Sequence, residues 1–211
     1  MRASKSRVVL SNVCFILVAV SRAAFGQMSP GSAQAPTATG PAAATGVRAE
    51  VIRIMEDAET KLTKLAQAIP AEKYNWRPSK DVRSVSEVFL HVAGGNFSIP
   101  RRLGTDPPAD FSPQGFEKST ADKTKVIDML KRSFAHAKQA VTKLTDGDTE
   151  KTGEWFGSRQ ATYREMMFFL AAHQHEHLGQ AIAYARMIGI TPPWTEEQQQ
   201  RQKMQQQKSK S

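Results

Sequence analysis

The sequence predicts an all-α protein folded as a four-helix bundle. Between Val47 and Glu197, four segments repeat apolar residues at three- and four-residue intervals, which is the pattern of one buried helix face. The same region has no convincing alternation of apolar and polar residues, so no strand is expected. A long Pro- and Gly-rich connection from about Gly104 to Glu117 joins helices two and three, which argues against simple up-down-up-down connectivity.

The composition agrees with a single globular domain. Of 211 residues, 40% are hydrophobic and 23% are charged, which is too apolar for a disordered chain. Glycine does not recur at every third position, so the chain is not collagen-like, and one cysteine excludes a disulfide scaffold.

The first two helices have clear boundaries. Helix one is expected from about Val47 to Ile69 and ends at Pro70. Its apolar stripe consists of Val47, Val51, Ile54, Met55, Ala58, Leu62, Leu65 and Ile69. Helix two opens at Ser84, where Glu87 completes a capping box, and its Gly94-Gly95 pair and Pro100 predict a kink or an early end.

The third and fourth helices also follow amphipathic stripes. Helix three is expected over about Ser119 to Leu144 and stops at an Asp-Gly pair. Helix four begins at Thr162, with Glu165 three residues later as a second capping-box pattern, and extends to Met187.

The ends of the chain differ from this core. Residues 1–26 combine a basic start, a 13-residue apolar run and a small-residue end, which is typical of a secretory signal peptide cleaved after Gly26. A membrane-spanning helix needs about 20 apolar residues, so the sequence favours a cleaved signal peptide over a retained membrane anchor. Residues 27–46 are expected to form a flexible Ala/Pro/Thr linker, residues 47–197 the bundle, and residues 198–211 a disordered Gln/Lys-rich tail.

The net charge of +9 resides mainly at these ends. Residues 1–26 and residues 198–211 each carry four basic and no acidic residues, so removing these eight charges leaves +1 for residues 27–197. A nucleic-acid-binding surface is therefore not expected. Cys14 lies in the signal peptide, which excludes catalytic thiols and Cys-ligated zinc from the exported protein.

Three histidines are candidate metal ligands. His173 and His177 are four residues apart and project from one face of helix four, whereas His175 points elsewhere. If His91 on helix two faces this pair, three neutral imidazoles would form a site with an open position that suits zinc or nickel. The alternative is that these are core or half-exposed histidines whose ring nitrogens are satisfied by hydrogen bonds.

Two neighbouring residues are candidate catalytic groups. Glu87 lies one turn before His91 and could act as a general base, although its capping role is the competing interpretation. Gln180 follows His177 by three residues and could orient a ligating ring or a substrate. Arg101 and Arg102 could hold an anionic substrate, although exposed basic pairs are common.

Several of these motifs together resemble the DinB family, of the DinB/YfiT-like superfamily. They are the Trp-Arg-Pro turn at residues 76–78, the Ser84, Glu87 and His91 pattern, the HxxxH of His173 and His177 followed by Gly-Gln, and the closing Gly189 with Pro192-Pro193. The resemblance covers roughly residues 47–194. It implies a four-helix bundle with a long crossover and a metal site on His91, His173 and His177. Members with assigned activity resemble thiol-dependent transferases or isomerases that use cytoplasmic thiols.

These observations predict an exported, DinB-like, metal-dependent hydrolase or transferase that activates water or a thiol and acts on an unidentified small molecule. A non-catalytic metal-binding protein is the main alternative. A haem bundle is disfavoured because no CxxCH motif is present and the paired histidines lie on one helix face. A homodimer is compatible with the sequence, and no stable membrane anchor is expected after cleavage.

Export can be tested by expressing the full chain in a bacterial host and determining the N-terminus of the exported fraction. We expect the mature protein to begin at Gln27, because Ala24 and Gly26 offer the small side chains that cleavage requires. Ala24→Leu should block processing. An uncleaved chain in the membrane fraction would instead favour a retained anchor.

Overall fold

The computed structural model describes residues 44–209 and has the predicted helical bundle. Its elements are α1 (Gly46–Ala68), α2 (Val85–Ser98), α3 (Lys123–Lys143), β1 (Thr152–Glu154), β2 (Gln160–Thr162), α4 (Tyr163–Met187) and α5 (Pro193–Lys208). The predicted signal peptide and most of the predicted linker lie outside the described residues. Within residues 44–209, no helix is long and apolar enough to cross a membrane.

The four long helices are not arranged in sequence order around the bundle. Both α1 and α2 pack mainly against α3 and α4. Helix α1 therefore lies diagonally across the bundle from α2, and α3 lies diagonally across from α4. The long connection between α2 and α3 accompanies this arrangement, as the sequence predicts.

The predicted stripe of α1 forms one side of the core. Val51, Met55, Ala58, Leu62 and Leu65 are all fully buried. Burying an aliphatic side chain of this size contributes about 1.5–3 kcal/mol, so this face holds α1 against the bundle.

One residue of that stripe departs from the prediction. Ile54 is 38% exposed, because it lies at the edge of the buried face rather than on it.

Helix α2 begins with the predicted capping box. The Glu87 backbone N–H donates to Ser84 Oγ, and the Ser84 backbone N–H donates to the Glu87 carboxylate at 2.8 Å. The glycine pair does not interrupt the helix, which stays α-helical through Ser98 and continues as a 3₁₀ turn over Ile99–Leu103. Gly104 then ends this turn with a φ of 83°, a conformation that glycine adopts without strain.

Two local features differ from the prediction. Helix α3 begins at Lys123 rather than Ser119, because the Asp122 carboxylate accepts the Lys125 backbone N–H and caps the helix there. Residues Phe116–Lys118 form a separate 3₁₀ turn. The antiparallel pair β1 and β2 was not predicted, since strands of three residues are too short to show alternation.

The C-terminal segment also differs from the expected disordered tail. Helix α5 continues through residues 198–208, although it has no buried residue. Glutamine, lysine and arginine have good intrinsic helix propensity, and Pro193 occupies the favourable first turn. Local propensity therefore accounts for a helix that little tertiary packing supports.

A buried polar chain joins three helices. Gln174 Nε2 of α4 donates to Asn96 Oδ1 of α2 at 2.8 Å, and Asn96 Nδ2 donates to Ser133 Oγ of α3 at 3.2 Å. Ser133 in turn donates to the Leu130 carbonyl at 2.7 Å. All three side chains are fully buried. Polar groups in an apolar interior must be paired, so this chain fixes how α2, α3 and α4 align.

Replacing Asn96 should test this role. Asn96→Ala leaves the buried Gln174 Nε2 without its acceptor and removes the donor to Ser133 Oγ, which should lower the free energy of unfolding by about 1–3 kcal/mol. Urea denaturation measures this change. Ser98→Ala, at an exposed position two residues later on α2, is the matched control and should change stability by less than about 0.5 kcal/mol.

Candidate metal centre

Helices α2 and α4 bring the three predicted histidines together. His91 comes from α2, and His173 and His177 come from successive turns of α4. Their ring centroids are 5.0, 4.4 and 4.7 Å apart, and one nitrogen from each ring lies within 4.8 Å of the others. His91 Nε2 and His173 Nε2 are only 3.1 Å apart. The cluster is formed by tertiary packing across the α2–α4 interface.

Hydrogen bonds on the far side of two rings orient them. His91 Nδ1 lies 2.5 Å from Glu117 Oε1, and because an ionised carboxylate only accepts, this nitrogen donates. His177 Nδ1 donates to Gln180 Oε1 at 2.9 Å. Both contacts place the ring proton on Nδ1 and leave Nε2 of His91 and of His177 as acceptors, and His91 Nε2 is within hydrogen-bond distance of His173 Nε2.

The third ring is positioned by packing. His173 Nδ1 is buried and has no hydrogen-bond partner among the described residues. The ring lies directly over Gly95, where an added Cβ would be 2.4 Å from His173 Cε1. Phe169, one turn earlier on α4, stacks near the ring with a centroid distance of 6.3 Å. Only glycine at position 95 leaves room for His173 in this place.

The surroundings keep two of the three histidines, His173 and His177, uncharged. Burial, together with the neighbouring His177 and His91, lowers the pKa of His173 to about 3, and burial also lowers the pKa of His177. Partial burial by itself raises the pKa of Glu117, but hydrogen bonds from Arg83 and His91 hold it below its usual value. At neutral pH, His173 and His177 are therefore uncharged and Glu117 is ionised.

The donor set fits a divalent transition metal. Zinc–imidazole bonds of about 2.0–2.1 Å in tetrahedral geometry place ligand nitrogens roughly 3.3 Å apart, close to the 3.1 Å between His91 and His173. Neutral imidazole is a common ligand of zinc and nickel. Three protein ligands leave a coordination position open, which is the arrangement of catalytic rather than structural zinc sites.

Comparison with known proteins identifies the family of this chain. The sequence model of the DinB superfamily matches residues 54–181, more than half of the chain. This chain belongs to the DinB superfamily. No curated protein matches it.

Solved DinB-like structures share the fold. A DinB-like protein from Bacillus cereus has a TM-score of 0.60 and 17% identity, over 68% of this chain and 93% of that one. YfiT from Bacillus subtilis, described as a probable metal-dependent hydrolase with an unusual four-helix bundle topology, has a TM-score of 0.56 and 15% identity, over 68% of this chain and 89% of that one. At these identities the likeness shows the fold alone.

The two candidate catalytic residues of this chain, Glu87 and Gln180, both make side-chain hydrogen bonds. One Glu87 oxygen accepts the Ser84 backbone N–H and the other accepts from Arg77 at 3.2 Å, so its carboxylate is already engaged. Gln180 holds His177, and its Nε2 donates to Tyr184 Oη at 3.1 Å. Glu87 is placed as a helix cap, and Gln180 as a residue that positions a ligand ring.

Sequence reasoning missed Glu117 and Gly95. Glu117 lies in the long connection, 26 residues from His91, and no spacing rule links the two. The sequence indicates Gly95 only as a potential helix breaker, whereas in the structure its missing side chain leaves space for the His173 ring. His175, as predicted, lies outside the cluster, with its Nε2 3.1 Å from the Ile54 carbonyl oxygen.

The glycine contact can be tested directly. Gly95→Ala should displace the His173 ring, because the new Cβ would overlap it, and should lower the free energy of unfolding by about 1–3 kcal/mol. Imidazole NMR signals and urea denaturation measure both effects. Gly94→Ala is the matched control, since its Cβ would be 3.4 Å from Phe116 and clear of the histidines. Unchanged His173 signals in Gly95→Ala would contradict this account.

Proposed function

We propose that this DinB-superfamily protein is an exported metal-dependent hydrolase or transferase that acts on a small molecule. His91, His173 and His177 would hold a divalent ion, zinc or nickel, and the reaction would use an activated water or thiol. The observation that carries the proposal is the convergence of three imidazole nitrogens within 4.8 Å of one another, since a three-histidine set would leave a position on the ion open. The description of YfiT as a probable metal-dependent hydrolase supports it.

A divalent ion bound there would supply Lewis acidity that makes a water or a thiol nucleophilic near neutral pH. The protein contributes through neutral ligands, which leave the charge of the ion uncompensated. Glu117 keeps the proton of His91 on Nδ1, and Gln180 does the same for His177, so Nε2 would be the atom of each ring that binds the ion.

A second candidate function is metal binding without turnover. Glu87, one turn before His91, and Glu117, which contacts His91, are both engaged in hydrogen bonds, so neither carboxylate is free to accept a proton from a substrate. This observation favours a binding protein over an enzyme that needs a carboxylate base. The same site serves both functions, and the measurements below separate them.

Metal content tests the site itself. After supplementation with zinc or nickel, the purified protein should contain about one metal ion per chain by elemental analysis. His177→Ala removes one ligand and should reduce the bound metal to background. His175→Ala, two residues earlier on the same helix but outside the cluster, should retain it. A wild-type protein that stays metal-free under these conditions would refute the proposal.

Turnover divides the enzyme from the binding protein. Ester, amide and thiol-transfer substrates should be screened with the metal-loaded wild type beside His91→Ala. Activity confined to the wild type supports the enzyme. Stoichiometric metal without any turnover supports the binding protein, whereas equal activity in both proteins would show that the histidine site does not carry the reaction.

A further inference from the structure

A cavity lies at the C-terminal end of α2, on the helix face that also carries His91. It has a volume of about 820 Å³ and is lined by Ser98, Arg101, Arg102, Phe111, Glu154 and Phe156, among others. Residues 87, 91, 95, 98 and 102 recur at three- and four-residue intervals on α2 and the 3₁₀ turn that extends it. His91 therefore lies between the Glu87 end of this face and the end that forms the cavity.

The histidines and the cavity lie along the same face of α2. Between His91 and Ser98 this face carries Gly94 and Gly95, and the His173 ring lies over Gly95. On the opposite wall, the Phe169 ring is 6.3 Å from His173 and 5.7 Å from Phe156 by centroid. Seven residues of helix separate His91 from Ser98, or roughly 10 Å along the axis.

The lining combines an apolar wall with two cations. Ile99, Phe111 and Phe156 contribute apolar surface, together with two prolines. The Arg102 guanidinium lies 5.1 Å from the Phe156 ring centroid and donates once, to the Glu154 carbonyl at 2.8 Å. Most of its five N–H donors therefore have no acceptor among residues 44–209.

Arg101 is also available to a ligand. It approaches Asp106 at 3.7 Å, with 75% and 88% of the two side chains exposed. Such a loose surface pair contributes little stability, so a bound anion can replace it at small cost. The Glu154 carboxylate is the opposing charge among the lining residues.

We propose that this cavity binds the apolar body of an amphipathic organic anion, whose anionic group is held by Arg101 and Arg102. We further assign this cavity to the substrate, which rests on the proposed function. In that case the end of the molecule opposite the anionic group reaches the histidine cluster. The span from the arginines to the histidines, roughly 15 Å, selects an elongated molecule. The cavity volume lies within the range of small-molecule sites.

The other cavity near the histidines is a poorer anion site. It has a volume of about 600 Å³ and is lined by charged residues that include Arg77, Arg83, Glu87 and Glu117. Its two arginines are already paired, Arg77 with Glu87 at 3.2 Å and Arg83 with Glu117 at 2.8 Å. Lys80 and Lys118 also line this cavity, but an anion there would meet three carboxylates, Asp81, Glu87 and Glu117. Glu154 is the one carboxylate among the lining residues of the cavity beside Arg101 and Arg102.

Binding of 8-anilinonaphthalene-1-sulfonate, an aromatic anion that fluoresces in apolar sites, tests the cavity in metal-free protein. The double variant Arg101→Gln/Arg102→Gln should weaken its affinity by about tenfold or more, since a charge-assisted contact is lost. Ser98→Trp should fill the cavity and abolish binding. Arg186→Gln, at an exposed position near the end of α4, is the control and should bind like the wild type.

Competition identifies the anionic group and the need for charge. Dodecanoate and dodecyl phosphate should displace the dye, and whichever does so at the lower concentration indicates the preferred headgroup. Dodecanol, which is apolar but uncharged, should compete at least about tenfold more weakly. Equal dye affinity in the double variant, the wild type and Arg186→Gln would overturn the proposal, as would equal competition by dodecanol. The double variant is expected to fold, because Arg101 is exposed and Arg102 is half-exposed. The test therefore stands even if Ser98→Trp does not fold.

The span to the histidines needs a separate measurement. In zinc-loaded protein, 11-mercaptoundecanoate should bind more tightly than 3-mercaptopropionate and lose affinity in the arginine double variant, because only the longer molecule reaches both ends. Equal dependence of the two thiols on the arginines would refute the spanning arrangement. If zinc does not bind but the dye results hold, the metal function fails and the anion cavity stands; if zinc binds and the dye results fail, the cavity proposal alone is wrong.

Discussion

The interface between α2 and α4 is held in register by one buried amide pair. Gln174 donates to Asn96 at 2.8 Å, and both side chains are fully buried. A slip of one residue would rotate the side chains by about 100° and leave buried amides unpaired, at a cost of about 1–3 kcal/mol each. His173 precedes Gln174, and Gly95 precedes Asn96, so the pairing that aligns the helices also seats the imidazole on the glycine. The convergence of the histidines depends on this alignment.

The long connection between α2 and α3 completes the site from outside the bundle. Phe116 packs against Phe97 of α2 and Phe111 of the connection, with ring centroids 6.1 and 5.0 Å apart. This aromatic contact places the next residue, Glu117, beside His91. Arg83, just before α2, holds the other Glu117 oxygen at 2.8 Å. The connection thus supplies the carboxylate that orients a ligand ring.

The two sides of the histidine cluster differ in polarity. Toward the start of α2, charged side chains are paired with one another; toward its end, aromatic and apolar surface carries two arginines with few acceptors. The net charge of residues 27–197 is only +1, so the overall field of the domain would attract a ligand weakly. Selection among small molecules then depends on these local contacts.

Much of the helical scaffold follows from the sequence alone. Helix periodicity identified α1 through α4, and the Ser84 and Thr162 caps marked two of their starts within one residue. The i, i+4 spacing put His173 and His177 on one face. These features are local, because 3.6 residues per turn and the unpaired N–H groups at a helix start act over a few residues.

Other features required the packed structure. The short hairpin, the start of α3, the helical backbone of residues 198–208 and the engagement of Glu87 differ from or go beyond the pattern-based expectations. Glu117 contacts His91, which is 26 positions away in the sequence, and Gly95 lies under His173, which is 78 positions away. Periodicity carries no information on such pairs, because they meet only when the apolar faces of separate helices bury one another and the buried polar groups select one register.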